Sequence, residues 1–238
     1  EEITALAELP YAERAAAVYK AFNVDLPDDV IDELMGRAYG ENFDDDAVCP
    51  ITSLDESTHI LELWHGPTSA FKDMALQCLP HFFSASAEHL REQGRLGHEF
   101  MILVATSGDT GKAALEGFKG VDGVSIGVLF PDGGVSDIQR KQMVTTTGDN
   151  VCVWAVRGNF DDCQTGVKRA FSDDVFAEEL LAQHAIALSS ANSINWGRLL
   201  PQVVYYISSY AELVAAGKVQ PGDEIDVCVP TGNFGNIL

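Results

Sequence analysis

Lys72 is the residue with the clearest chemical promise. It lies in the stretch Trp64-His65-Gly66-Pro67-Thr68-Ser69-Ala70-Phe71-Lys72-Asp73. A lysine amine can bond to a carbonyl carbon only when unprotonated, so its surroundings must lower its pKa. The apolar alternation from Ile60 to Trp64 predicts a strand, which Gly66-Pro67 should stop. Thr68 and Ser69 can then N-cap a helix beginning near Phe71. Lys72 would stand in its first turn, where the helix dipole disfavours a cation and favours the free amine. Spacing alone leaves open a solvated lysine snorkelling from the helix start.

Three further stretches could hold an anion or a polar ligand. A continuous apolar run, Phe100 to Ala105, leads into Thr106-Ser107-Gly108-Asp109-Thr110-Gly111-Lys112-Ala113. Strand, glycine turn and helix start together make an anion cradle. It is not a nucleotide P-loop, because Gly108 and Gly111 enclose two residues rather than four and Ala113 stands where Ser or Thr is needed. Dinucleotide G-x-G-x-x-G spacing is also missing. The second stretch is Ser190-Ala191-Asn192-Ser193-Ile194-Asn195-Trp196-Gly197-Arg198. The third is Pro230-Thr231-Gly232-Asn233-Phe234-Gly235-Asn236, where glycines after a strand would let backbone amides approach a phosphate.

Together, these four stretches in this order resemble the motifs of threonine synthases, members of the fold-type-II pyridoxal-phosphate enzymes. The resemblance implies pyridoxal 5'-phosphate as cofactor, with Lys72 as the catalytic Schiff-base lysine. Gly232, Asn233, Phe234, Gly235 and Asn236 would cradle the cofactor phosphate. Ser107, Asp109 and Thr110 match the loop at the substrate carboxylate. Ser193, Asn195 and Arg198 match positions near the substrate phosphate. The implied reaction converts O-phospho-L-homoserine and water to L-threonine and phosphate. The family's partner for the pyridine nitrogen is a hydroxyl residue from the far C-terminal part, and no position here matches it. Family members also continue beyond Asn236, so the chain is expected to be incomplete at its C-terminus.

Rival readings stay within reach of the same motifs. A serine or threonine dehydratase or a sulfhydrylase would share the fold, but usually carries an Asn-His-type pair where Asp109-Thr110 stands. A threonine-synthase-like protein could bind a phosphorylated ligand without turnover. An unrelated nucleotide-binding module is disfavoured by the failed spacings.

Composition narrows the function further. The 238 residues are 46% hydrophobic and 21% charged, with a net charge of −21. That charge speaks against a nucleic-acid surface and against acidic membranes. An anionic substrate must then be held by helix starts and a few basic residues. Five single cysteines, Cys49, Cys78, Cys152, Cys163 and Cys228, show no metal spacing and suit reduced thiols in a cytoplasm. Cys152 and Cys228 sit in apolar runs and are expected to pack as small hydrophobes. No metal site is expected. Asn42 to Asp46 reads as a solvated acidic loop without calcium-loop spacing. No span or signal peptide is visible, although the chain opens without Met. A monomer or homodimer is expected.

The remaining elements must position these residues. Helices are predicted at Tyr11 to Asn23 and Pro27 to Tyr39. The helix after Lys72 should run to about Gln93, with Pro80 kinking or breaking it. Strands follow at 124–130, 151–156, 186–188 and 224–229. Helices are expected at 136–147, 161–171, 174–184 and 195–216, the last broken or bent at Pro201. This alternation predicts an α/β fold with parallel or mixed sheets flanked by helices. Residues 1–58 read as an N-terminal helical accessory region and 59–238 as the catalytic region, with 97–172 as a smaller α/β subdomain.

Overall fold

The computed structural model describes residues 2–191 and 195–230. By contact the chain forms two compact units. One is built from residues up to Cys78 and from Trp196 onward; the other is Leu79–Asn195. Residues 1–58 fall in the first unit, with the Lys72 loop. Residues 97–172 fall in the second.

The first unit is mainly helical. Helices α1 (Glu2–Ala7), α2 (Tyr11–Ala21) and α3 (Asp28–Ala38) come first, followed by the hairpin β1 (Ile51–Ser53) and β2 (His59–Leu61). The prolines before α2 and α3, Pro10 and Pro27, hold extended backbone at the N-cap, and Asp28 and Asp29 complement the dipole of α3. After the Lys72 loop comes α4 (Asp73–Leu76), only four residues long. The unit closes with α10 (Trp196–Ala215), against which α1, α2 and α4 pack. Arg14 joins three of these helices. Its guanidinium donates to Ala7 O at 2.9 Å, to Ser208 Oγ at 2.8 Å and to the Glu212 carboxylate.

The second unit is an α/β layer. Its parallel sheet has the order β5-β4-β3-β6, from β3 (Glu99–Ala105), β4 (Val124–Pro131), β5 (Val151–Val156) and β6 (Ile186–Ser189). Around it run α5 (Leu79–Glu92), α6 (Asp109–Phe118), α7 (Asp137–Val144), α8 (Phe160–Ser172) and α9 (Asp174–His184). Ile102, Val104, Ile126, Val128 and Phe130 are buried, as are Ala113, Ala114, Leu115 and Phe118 on α6. This is the continuous apolar pattern of strands covered by helices. The chain adds β4 and β5 on one side of β3, then returns to place β6 on the other. The strand order therefore reverses between β3 and β6, and a crevice outside the carboxyl ends of such strands is where open α/β sheets bind ligands.

Several expectations need correction. The strand before the lysine loop is His59–Leu61 rather than 60–64, although Glu62 N still donates to Pro50 O at 3.0 Å. No single helix spans 71–93. It is interrupted at Gln77 and Cys78, and Pro80 occupies the first turn of α5, where its missing N–H is harmless. Conversely α10 runs through Pro201 without ending. Its packing against three helices outweighs the one backbone bond that proline forfeits. Residues 224–229 form no strand. A strand must pair its backbone groups, and no described strand runs beside them. Cys228 is accordingly exposed, and so is Cys152 on the edge strand β5. Among the described residues, no helix is long and apolar enough to cross a membrane, and no cluster of acidic, His and Cys side chains could hold a metal ion.

Candidate active site

In the first unit the lysine loop is organised by Asp73. Its side chain is fully buried, and its carboxylate accepts from Thr68 N at 2.8 Å, from Thr68 Oγ1 at 2.6 Å and from Ala70 N at 3.4 Å. The hydroxyl residues therefore do not cap the helix as expected. Lys72 itself takes the N-cap position, and the aspartate after it reaches back to close the loop. Ser69 is left at φ +54°, a left-handed conformation that the loop bonds must hold. A Cβ on Gly66 would lie 2.5 Å from Asp73 Cβ, so the chain needs glycine for this close approach. The half-buried Lys72 side chain places Nζ 4.3 Å from the centroid of the Phe71 ring. With four residues, α4 carries a weaker dipole than the expected long helix. Its Met74 carbonyl accepts from the Tyr39 hydroxyl at 2.7 Å, so the residue that ends α3 braces the lysine turn.

His65 anchors the other end of the loop. Nε2 lies 2.9 Å from Glu62 Oε2 and Nδ1 lies 2.6 Å from Asp44 Oδ1. Asp44 N also donates to His65 O at 2.9 Å. The acidic loop is thus tied to the lysine stretch, although its outer face remains solvated. The Glu62 bond, aided by Asp44, raises the His65 pKa against the opposing effect of burial. A raised folded-state pKa stabilises the fold fully below the ordinary imidazole value of about 6.5 and loses that contribution as pH rises through the higher value. Urea denaturation should therefore show stability falling from about pH 6.5 upward. His65→Asn should flatten that part of the profile. An equally steep profile in the variant would remove His65 as its source.

Arg198, in the first turn of α10, is 6% exposed. Burial pulls its guanidinium down to about 10, which still leaves it cationic at neutral pH. A buried cation at the positive end of a helix is unfavourably placed for stability alone.

In the second unit, the loop after β3 carries Ser107, Asp109 and Thr110. Thr106 is buried, and its Oγ1 accepts from Gly108 N at 3.0 Å and Gly111 N at 2.9 Å. Gly108 has φ +146°, accessible to glycine. Asp109 Oδ1 accepts from Gln139 Nε2 at 2.9 Å and lies 3.3 Å from Lys112 Nζ. Asn195 donates to Ser190 O at 3.2 Å in the segment that leaves β6. The loop after β3 and the segment after β6 therefore flank the strand-order reversal. Ser193, Gly232, Asn233, Phe234, Gly235 and Asn236 lie outside the described residues. Sequence reasoning assigned no role to Asp73, His65, Lys112 or Gln139.

The fold and sequence both have relatives. The chain is 41% identical over 239 residues to threonine synthase of Pseudomonas aeruginosa, covering 100% of this chain and 47% of that protein. It superposes on the crystal structure of PLP-bound threonine synthase from Brucella melitensis with a TM-score of 0.85, at 42% identity over 100% of this chain and 47% of that one. Its relatives are threonine synthases. Human threonine synthase-like 1 is 44% identical over 235 residues, covering 96% of this chain and 31% of the human protein. The chain thus spans about half the length of the threonine synthases it matches, or less. No protein-family model matches it.

Proposed function

We propose that the chain provides the lysine-bearing part of a cytoplasmic, pyridoxal-phosphate-dependent threonine synthase. The observation that carries this reading is the buried Asp73 clamp, which fixes the backbone of a half-buried lysine amine. A primary amine so held fits pyridoxal phosphate, whose carbonyl it would bond. When bound, that cofactor supplies an electron sink for charge developing at the substrate carbons.

The chain's own residues would do the rest. Lys72 holds the cofactor and moves protons at Cα and Cβ of O-phospho-L-homoserine. Gly232, Asn233, Phe234, Gly235 and Asn236 are assigned to the cofactor phosphate by their motif. Ser107, Asp109 and Thr110 hold the amino-acid end of the substrate. Ser193, Asn195 and Arg198 hold its phosphate. A guanidinium grips phosphate with two parallel bonds, and the burial of Arg198 would strengthen them. After phosphate departs from Cγ, that carbon takes up a proton to become the methyl group; water then adds its hydroxyl at Cβ and a proton returns to Cα, giving threonine.

The test is phosphate release from O-phospho-L-homoserine, run beside ammonia release from L-serine, with the full-length holoenzyme. Phosphate release alone supports threonine synthase; ammonia release alone indicates a dehydratase. Arg198→Ala should raise KM for phosphohomoserine by roughly 30-fold, with cofactor absorbance retained. An unchanged KM would take Arg198 out of the site. The similarity to human threonine synthase-like 1 favours a second reading, a phosphorylated-ligand binder without turnover. Binding of phosphohomoserine without product would establish it.

A further inference from the structure

We infer that Gln139, in the first turn of α7, is a positioning residue that fixes the Asp109 carboxylate in the substrate loop. The inference rests on the proposed role of that loop. Gln139 uses both ends of its amide. Oε1 accepts from Ser136 N at 3.1 Å, while Ser136 Oγ accepts from Gln139 N at 3.2 Å, completing a capping box. Nε2 points the other way and donates to Asp109 Oδ1 at 2.9 Å. The cap settles which end is oxygen, so the nitrogen must face Asp109.

The neighbouring backbone is shaped around this contact. A Cβ on Gly108 would collide with the Gln139 carboxamide. Gly108 therefore both turns the loop and makes room for the amide that holds it. Lys112, one turn further along α6, lies 3.3 Å from Asp109, and Asp137 and Arg140 are the charged neighbours of Gln139 on α7.

The chemistry separates positioning from capping. Glutamate serves a capping box as well as glutamine does, since only an acceptor is needed. The amide's donor matters only to Asp109. Gln139→Glu keeps the cap and sets two carboxylates against each other, with Lys112 offsetting part of the repulsion. Such a pair holds a shared proton well above the ordinary carboxylate range.

The experiment compares wild type, Gln139→Glu and the double variant Asp109→Asn/Gln139→Glu as full-length holoenzymes. Relative to wild type, the KM of Gln139→Glu for O-phospho-L-homoserine should rise about tenfold near pH 8 and return toward unity near pH 5.5, with kcat little changed. Its melting temperature should fall by about 3 °C near pH 8 and recover on acidification. The double variant restores a donor facing an acceptor, so its melting temperature should lose this pH dependence. Identical melting profiles for Gln139→Glu and wild type would overturn the inference. If wild type releases no phosphate, the proposed function fails, and the melting comparison still decides whether Gln139 holds Asp109.

Discussion

Lys72→Ala should abolish phosphate release from O-phospho-L-homoserine, by about 10³-fold or more. The side chain is half-buried and Asp73 holds the loop without it, so folding should survive. Lys72→Arg should fail equally, because a guanidinium does not give up its proton near neutral pH. The decisive measurement is borohydride reduction of the wild-type holoenzyme, followed by digestion and mass spectrometry. The label should fall on the peptide carrying Lys72 and vanish from both variants. Turnover at the wild-type rate in Lys72→Ala would remove the assignment.

Asp73→Asn should be the most destabilising isosteric change near the site, by about 3 kcal/mol. The carboxylate accepts from two backbone N–H groups and a hydroxyl. An amide can keep its oxygen toward the two N–H groups, but those bonds lose their charged acceptor and the Thr68 hydroxyl must turn from donor to acceptor to meet the NH₂. Gly66 lies too close to the Asp73 side chain for the backbone to relax around the weakened bonds. Urea denaturation should show a lower midpoint with an unchanged slope. Lys72 should also take the borohydride label less completely at limiting cofactor. A wild-type midpoint would mean that the loop is held by something else.

The sheet was legible because its strands are mainly apolar runs lying between turn residues. Phe100 to Ala105 and Val151 to Val156 could be read almost to the residue. Residues 224–229 have the same pattern, yet form no strand. Pattern reports a willingness to be buried, while a strand also needs a neighbour. The two prolines had different outcomes, for a related reason: the helical run is broken beside Pro80, whereas α10 continues through Pro201. Pro80 and Pro201 act locally on one hydrogen bond, and whether a helix survives depends on where that bond falls and what packs around it. Lys72 and the loop after β3 were singled out as candidates by their motifs. Asp73 and Gln139 were not, although both were in plain view. Asp73 bonds backwards along the chain, and Gln139 crosses from one helix to another 30 residues away. Spacing rules describe neighbours on one element and are blind to such contacts.

The discontinuity of the first unit bears on how the chain comes to fold during synthesis. Its two pieces are separated by the whole of residues 79–195. At ordinary translation speeds of about 5–20 residues per second, α10 leaves the ribosome on the order of ten seconds after the lysine turn. Until then α1, α2 and α4 lack the helix they pack against. Residues of these helices that are buried in the finished fold, such as Met74 on α4, lack part of their cover until α10 arrives. The intervening unit, by contrast, is one unbroken stretch and can collapse as soon as β6 emerges. Lys72 is made early, but the unit that holds it is completed last.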